Sequence, residues 1–253
     1  MTTLTLTGAT RYWNRNVQVF RRVWLLGIMA WFVEPVLYLV AMGTGLARYV
    51  EGISGSYIGF IAPGLLAVAG MYGATFEVTW NAFFKMAREH VYDAVTSAPI
   101  SMQEVALGEI LWGTTRATIY GSAFSVVAIP FGVYHDLWGL LTLPALVLVG
   151  GVFAVIGLIY TYLIKRVEYI AYYWTMIITP MFLFSGVFFP FERLPGWLHT
   201  VAWFMPLHHA TEMMRALMSG SPGAAAGPAL WLLAATLLLV AIPPLILHRR
   251  MAR

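Results

Sequence analysis

The chain reads as an all-α membrane protein with six transmembrane helices, and three observations set that reading. Over 253 residues it is 60% hydrophobic and only 10% charged, where a soluble domain carries about 25% charged residues. Its apolar residues gather in six windows, each near or above the about 20 residues a helix needs to cross a bilayer. Its basic residues are also lopsided: of fifteen Lys and Arg, eleven flank one side of the windows, three flank the other, and Arg116 stands inside one. Lys and Arg mark the cytoplasmic side, so both termini are expected in the cytoplasm of a multi-pass protein of the cell (inner) membrane. The same bias explains the net charge of +4 and excludes a nucleic-acid partner. With no cysteine, disulfides, thiol catalysis and thiolate metal sites are ruled out. The first apolar run is too long for a cleaved signal and lacks a small-residue cleavage site, so it is expected to be retained.

Residues 1–253 are read as a single transmembrane domain. Residues 10–22 are basic and aromatic, with Trp13, Val17 and Phe20 recurring at helical spacing. That pattern predicts an amphipathic helix lying in the inner interface. The expected spans are Val23–Leu46, Tyr57–Phe83, Val105–Phe131, Leu137–Ile164, Tyr169–Phe189 and Pro228–Leu247. Between the second and third spans, residues 84–104 form the one long polar interruption on the inner side. A short amphipathic helix fits Lys85–Val95, with Met86, Val91 and Val95 on the membrane surface and Arg88, Glu89 and Asp93 facing water. Ser101 is the expected N-cap of the next helix. On the outer side, residues 188–220 are too polar to cross and too apolar for an ordinary loop. Pro195–Phe204 and Leu207–Met218 each read as a short helix started by proline, re-entrant or interfacial, with protein covering the broken ends.

Polar groups inside the spans carry the functional expectations, because an ionisable residue in lipid is costly and faces protein or a water-filled path. At about 100° per residue, Trp31, Glu34 and Tyr38 share a face of the first span. Gly70, Gly73, Glu77, Asn81 and Phe84 share one on the second, and Tyr172, Thr175, Thr179 and Phe182 one on the fifth. These faces suit a route for an amphipathic or sugar-bearing substrate. Glu109 and Arg116, seven apart on the third span, are read as structural, each finding partners on neighbouring helices. His208 and Glu212, one turn apart beside His209, invite a metal or hydroxyl-activating site. A third ligand is lacking, so neither a metal nor a catalytic residue is expected. A channel or ion-coupled carrier using Glu34 and Glu77 is the remaining alternative, alongside an intramembrane transferase.

Several passages together resemble the membrane subunits, or permeases, of type-2 ABC exporters. They are Phe184-Ser185-Gly186, Phe189-Pro190, Leu194-Pro195-Gly196-Trp197-Leu198, Pro206-Leu207, Arg215 and Gly220 before the last span, with Ser97-Ala98-Pro99-Ile100-Ser101 after the second. The likeness extends over essentially the whole chain and is nearest to exporters of nodulation lipo-oligosaccharides. It implies a half-transporter that pairs with a second copy, as a homodimer, and is driven by two copies of a separate ABC ATPase subunit. It makes the inner segment a coupling helix, with Lys85, Arg88, Glu89, His90, Tyr92 and Asp93 engaging the ATPase. It makes Pro195, Trp197 and Pro206 part of an outer gate. The cargo it implies is a lipid-linked oligo- or polysaccharide or similar amphiphile, with drug or antibiotic efflux as the alternative. The chain has no phosphate loop of the G-x-x-x-x-G-K-[ST] kind, and neither Lys85 nor Lys165 follows a glycine. ATP and Mg are therefore expected on the partner, and no cofactor on this chain.

Overall fold

The computed structural model describes residues 6–46, 56–89, 91–96, 100–191 and 195–251. Among them every regular element is helical. α1, Leu6–Val40, breaks at Val23, where φ −128° and ψ 19° leave the helical region. The break separates the basic aromatic stretch from the apolar run after it. α2 spans Tyr57–Ala87, with a π-helical turn at Glu77–Asn81. α3 is Val91–Thr96, and α4 is Met102–Ala128. α5 is Leu137–Leu163, and α6 is Tyr169–Phe184, the latter with a π turn at Trp174–Ile178. α7 is Gly196–Trp203, and α8 is Pro206–Met218. α9, Pro222–Arg250, closes the order.

Three of the described helices are long and apolar enough to cross a membrane: α2, α5 and α9. Val33–Gly45 and Tyr169–Phe184 are shorter apolar helices. α4 has the length, at 27 residues, but its Thr and Ser residues and Arg116 dilute its apolar character. It starts as the sequence indicates. The Ser101 hydroxyl accepts from the Glu104 amide, and the Glu104 carboxylate accepts from the Ser101 amide, a complete capping box.

α4 sits at the centre, packed against α1, α2, α5 and the end of α9. α2 is the most enclosed of the apolar helices, with 83% of its apolar window buried, whereas α9 keeps 22% buried and forms the rim. Small residues let α2 approach so closely: a Cβ at Gly73 would come within 2.9 Å of the Arg116 carbonyl on α4. At the far end of α5, Arg250 Nη1 donates to the carbonyls of Tyr162 at 2.9 Å and Ile164 at 2.7 Å. The guanidinium thereby satisfies carbonyls that α5 leaves open at its C-terminus.

Two local expectations are corrected. The helix expected over Lys85–Val95 is two pieces, because α2 continues to Ala87, turns at Arg88 and Glu89, and gives way to α3. Buried Met86 and Lys85 hold that last turn of α2 inside the bundle. On α6 the face of Tyr172, Thr175, Thr179 and Phe182 is split. The π turn shifts the register, visible in Thr179 Oγ1 donating to Trp174 O five residues back at 3.1 Å. Tyr172, Thr175 and Thr179 stay exposed. Phe182 turns inward, its ring 5.3 Å from that of Tyr38 and 4.9 Å from that of Phe188.

A buried charge junction as the candidate functional site

Four ionisable side chains meet where α2 and α4 approach the α3 segment. Glu109 of α4 is fully buried, and Lys85, Glu77 and Arg116 are nearly so. Lys85 Nζ lies 2.7 Å from Glu109 Oε1 and 2.8 Å from Oε2, and it reaches Glu77 Oε1 at 3.2 Å. Asn81 Nδ2 donates to Glu77 Oε2 at 2.7 Å. Arg116 Nε stands 3.6 Å from the same oxygen. The π turn at Glu77–Asn81 lies within this cluster, a kind of bulge frequent at functional sites. Two acids and two bases balance, so the junction is neutral as a whole. Ion pairs of this kind are poor net stabilisers because desolvation offsets their attraction. What they do well is fix which groups face one another.

Two phenols complete the junction from other parts of the chain. Tyr12, on the N-terminal half of α1, donates to Glu109 Oε1 at 2.7 Å, and Tyr92 of α3 donates to the same oxygen at 3.0 Å. Burial first, then the Glu109 charge, pushes both phenols well above their ordinary titration range, so they remain donors. Tyr12 can reach because Gly108 leaves room. A Cβ there would sit 2.9 Å from the Ala9 carbonyl and 2.8 Å from the Tyr12 ring. Farther along α1, Trp13 Nε1 donates to Thr115 Oγ1 at 2.9 Å. The Arg116 guanidinium lies over Phe20 at 4.3 Å and donates to the Tyr120 hydroxyl at 2.6 Å. That hydroxyl in turn bonds the Gly27 carbonyl just past the α1 break. The aromatic face of the N-terminal helix is thus seated on α4.

The other expected site residues are placed as follows. Lys85, grouped with the coupling residues, is inside the junction instead of on the surface of the loop. Arg88 and Glu89 are exposed, with Arg88 over the Phe84 ring at 5.1 Å. His90 lies outside the described residues, as do the side chains of Asp93 and Trp31. Glu77 joins the junction, Asn81 is half-buried beside it, and Glu34 is exposed on α1. Of the residues expected at an outer gate, Pro195 and Trp197 are exposed and Pro206 is buried. The imidazoles of α8 serve separate ring contacts, His208 on Phe191 at 4.3 Å and His209 on Trp231 at 4.2 Å. His209 Nε2 also bonds the Trp203 carbonyl at 2.7 Å. Tyr12 and Tyr120 carry no signal of their own in the sequence, and Trp13, expected as an interfacial anchor, instead bonds α4. The signal that points to the junction is the count of two acids and two bases near one end of two spans.

Comparison with known proteins follows the same lines as the resemblance. Residues 10–219 match the ABC-2 type transporter family. Nodulation protein J of Rhizobium meliloti (strain 1021) is 34% identical over 211 residues, 83% of this chain and 80% of that protein. Nodulation protein J of Sinorhizobium fredii is 31% identical over 83% of this chain and 81% of its own length. The inner membrane transport permease YadH of Escherichia coli K12 is 25% identical over 77% of this chain and 76% of its own. With its matched region covering most of its length and relatives above 30% identity, this chain belongs to the ABC-2 type transporter family.

Proposed function

We propose that the chain is the membrane subunit of an ATP-driven exporter that moves a lipid-linked oligo- or polysaccharide, or a similar amphiphile, outward. In this reading it crosses the inner membrane six times with both termini in the cytoplasm. Two copies pair, two separate ATPase subunits bind beneath them, and the cargo route runs along the faces of the first, second and fifth spans. Relatives named nodulation protein J and transport permease support the transporter class. The observation that carries the coupling is the shared carboxylate. The exposed turn at Arg88 and Glu89 and the α3 helix are tied through Tyr92 to Glu109, and through Lys85 to Glu77. A push on that segment from below reaches α2, α4 and the N-terminal helix together.

The test is reconstitution with the partner ATPase in vesicles. Reversing charge at Arg88 and Asp93 should abolish transport-coupled ATP hydrolysis while the subunit stays folded. Normal export by the doubly reversed protein would end the coupling assignment. Nucleotide-independent flux would instead indicate a channel or carrier. Export of a labelled glycolipid compared with a hydrophobic dye separates the glycan cargo from drug efflux.

A further inference from the structure

A cavity of about 400 Å³ opens beside the junction, between the N-terminal half of α1 and the facing sides of α2 and α4. That volume lies in the range of small-molecule sites, about 300–1,000 Å³. Its walls alternate two kinds of surface. Phe20, Phe84 and Trp112 present rings, while Asn16, Asn81 and Arg116 present hydrogen-bonding groups. The charges along it nearly cancel. Arg15, Lys85 and Arg116 are set against Glu77 and Glu89 on the wall, with Glu109 directly behind Lys85. A net charge on the occupant therefore gains little. A neutral head rich in hydroxyls gains donors, acceptors and ring faces at once.

Two buried donors on this wall have no hydrogen-bond partner among the described residues: Asn16 Nδ2 and Arg116 Nε. Asn16 Oδ1 is occupied, accepting from Arg15 Nη1 at 3.2 Å, so its amide is already oriented. Arg116 Nε stands 3.6 Å from Glu77 Oε2, beyond hydrogen-bond reach. Buried donors of this kind are seldom left unmet without a reason. Next to them Val19 and Val23 are exposed apolar side chains at the mouth, a surface on which an alkyl chain can lie.

We propose that this cavity is a loading site for the hydroxyl-rich head of a neutral glycolipid, its chain leaving past Val19 and Val23. The proposal rests on the exporter reading and adds where cargo first binds. Its floor carboxylate, Glu77, also holds Lys85, so an occupied cavity touches the group that anchors the coupling segment.

The test uses the full chain in phosphatidylcholine nanodiscs with a dodecyl glucoside carrying a diazirine in its chain. Photolabelling is expected to concentrate in residues 19–27 and 76–84 and to be displaced by unlabelled dodecyl glucoside but not by phosphatidylglycerol. Asn16→Leu keeps the branched outline and the number of side-chain heavy atoms while removing an unmet donor, so it should fold as the wild type does while labelling falls about tenfold or more. Phe84→Ala should lower labelling independently. Labelling spread evenly over the exposed apolar belt would overturn the site. So would equal displacement by phosphatidylglycerol, or unchanged labelling of Asn16→Leu. Nucleotide-driven export by the same variants, measured in parallel, keeps the two readings apart. Export intact with site labelling absent removes the site alone, and labelling intact with no nucleotide-driven export by the wild-type complex removes the exporter reading.

Discussion

Tyr12 of α1 and Tyr92 of α3 donate to one and the same oxygen, Glu109 Oε1, from helices on either side of α2 in the chain. Their rings meet edge to face with centroids 6.3 Å apart. The N-terminal helix and the α3 helix are therefore joined through a single buried acceptor. Hydrogen bonds to a charged group are worth about 1.5–3 kcal/mol each. Tyr12→Phe and Tyr92→Phe should each destabilise the purified protein by about that amount in denaturant unfolding. The double variant should deviate from additivity by about 0.5 kcal/mol or more. Simple additivity would show that the two hydroxyls act independently.

Lys85 separates two carboxylates that would otherwise face each other with only Arg116 to compensate them. Lys85→Met should cost about 3–5 kcal/mol, the usual result of stranding a buried charge. Adding Glu109→Gln leaves Glu77 and Arg116 as a balanced pair, so the double variant should melt above Lys85→Met alone. Thermal unfolding in detergent decides. A double variant less stable than the single one would mean that Lys85 acts through packing instead of charge.

Gly186 turns the chain out of α6 with φ +78°, and Arg215 Nη2 fixes its carbonyl at 2.9 Å. The same guanidinium is paired with Glu212 at 2.5 Å and lies over Phe60 at 4.5 Å. A side chain at that φ costs about 1–2 kcal/mol, least for Asn. Gly186→Ala should therefore lower the melting point more than Gly186→Asn does, a ranking that unfolding curves can check.

His209 gives α8 a pH dependence. Burial lowers its pKa, while its bond to the Trp203 carbonyl and the nearby Glu212 charge pull the other way without cancelling the shift. The folded state thus binds its proton less readily than the unfolded chain does. By linkage, this contribution to stability is complete above the unfolded value, about 6.5, and is lost as pH falls toward the lower folded value. Melting points recorded between about pH 7.5 and 5 should drop on acidification, and His209→Gln should flatten that drop. An identical slope in the variant would assign the effect elsewhere.

Much of this architecture is readable from local chemistry. Ser101 and Glu104 state their capping box three residues apart, the prolines Pro195 and Pro206 stand at the starts of α7 and α8, and the change from basic-aromatic to apolar residues marks the break at Val23. The junction is harder to read because its bonds join residues far apart in the chain. Lys85 sits in a polar stretch that suggests a water-facing loop, yet its partners lie eight and twenty-four residues away. Tyr12 reads as an interfacial aromatic until α4 supplies Glu109. The face assigned to α6 is kept by Tyr172, Thr175 and Thr179 and left by Phe182. A constant 100° per residue cannot anticipate the wider turn at Trp174–Ile178, beyond which Phe182 turns inward.

Arg250 has a practical consequence for anyone handling this protein. One guanidinium near the far end of the rim helix closes the carbonyl end of α5. A chain that keeps the helix through Met251 keeps that clasp, whereas one replaced from His248 onward loses it. Two trimmed versions differing by only a few residues should behave as different proteins in detergent, so a truncation series is best anchored on the clasp and not on apparent helix ends.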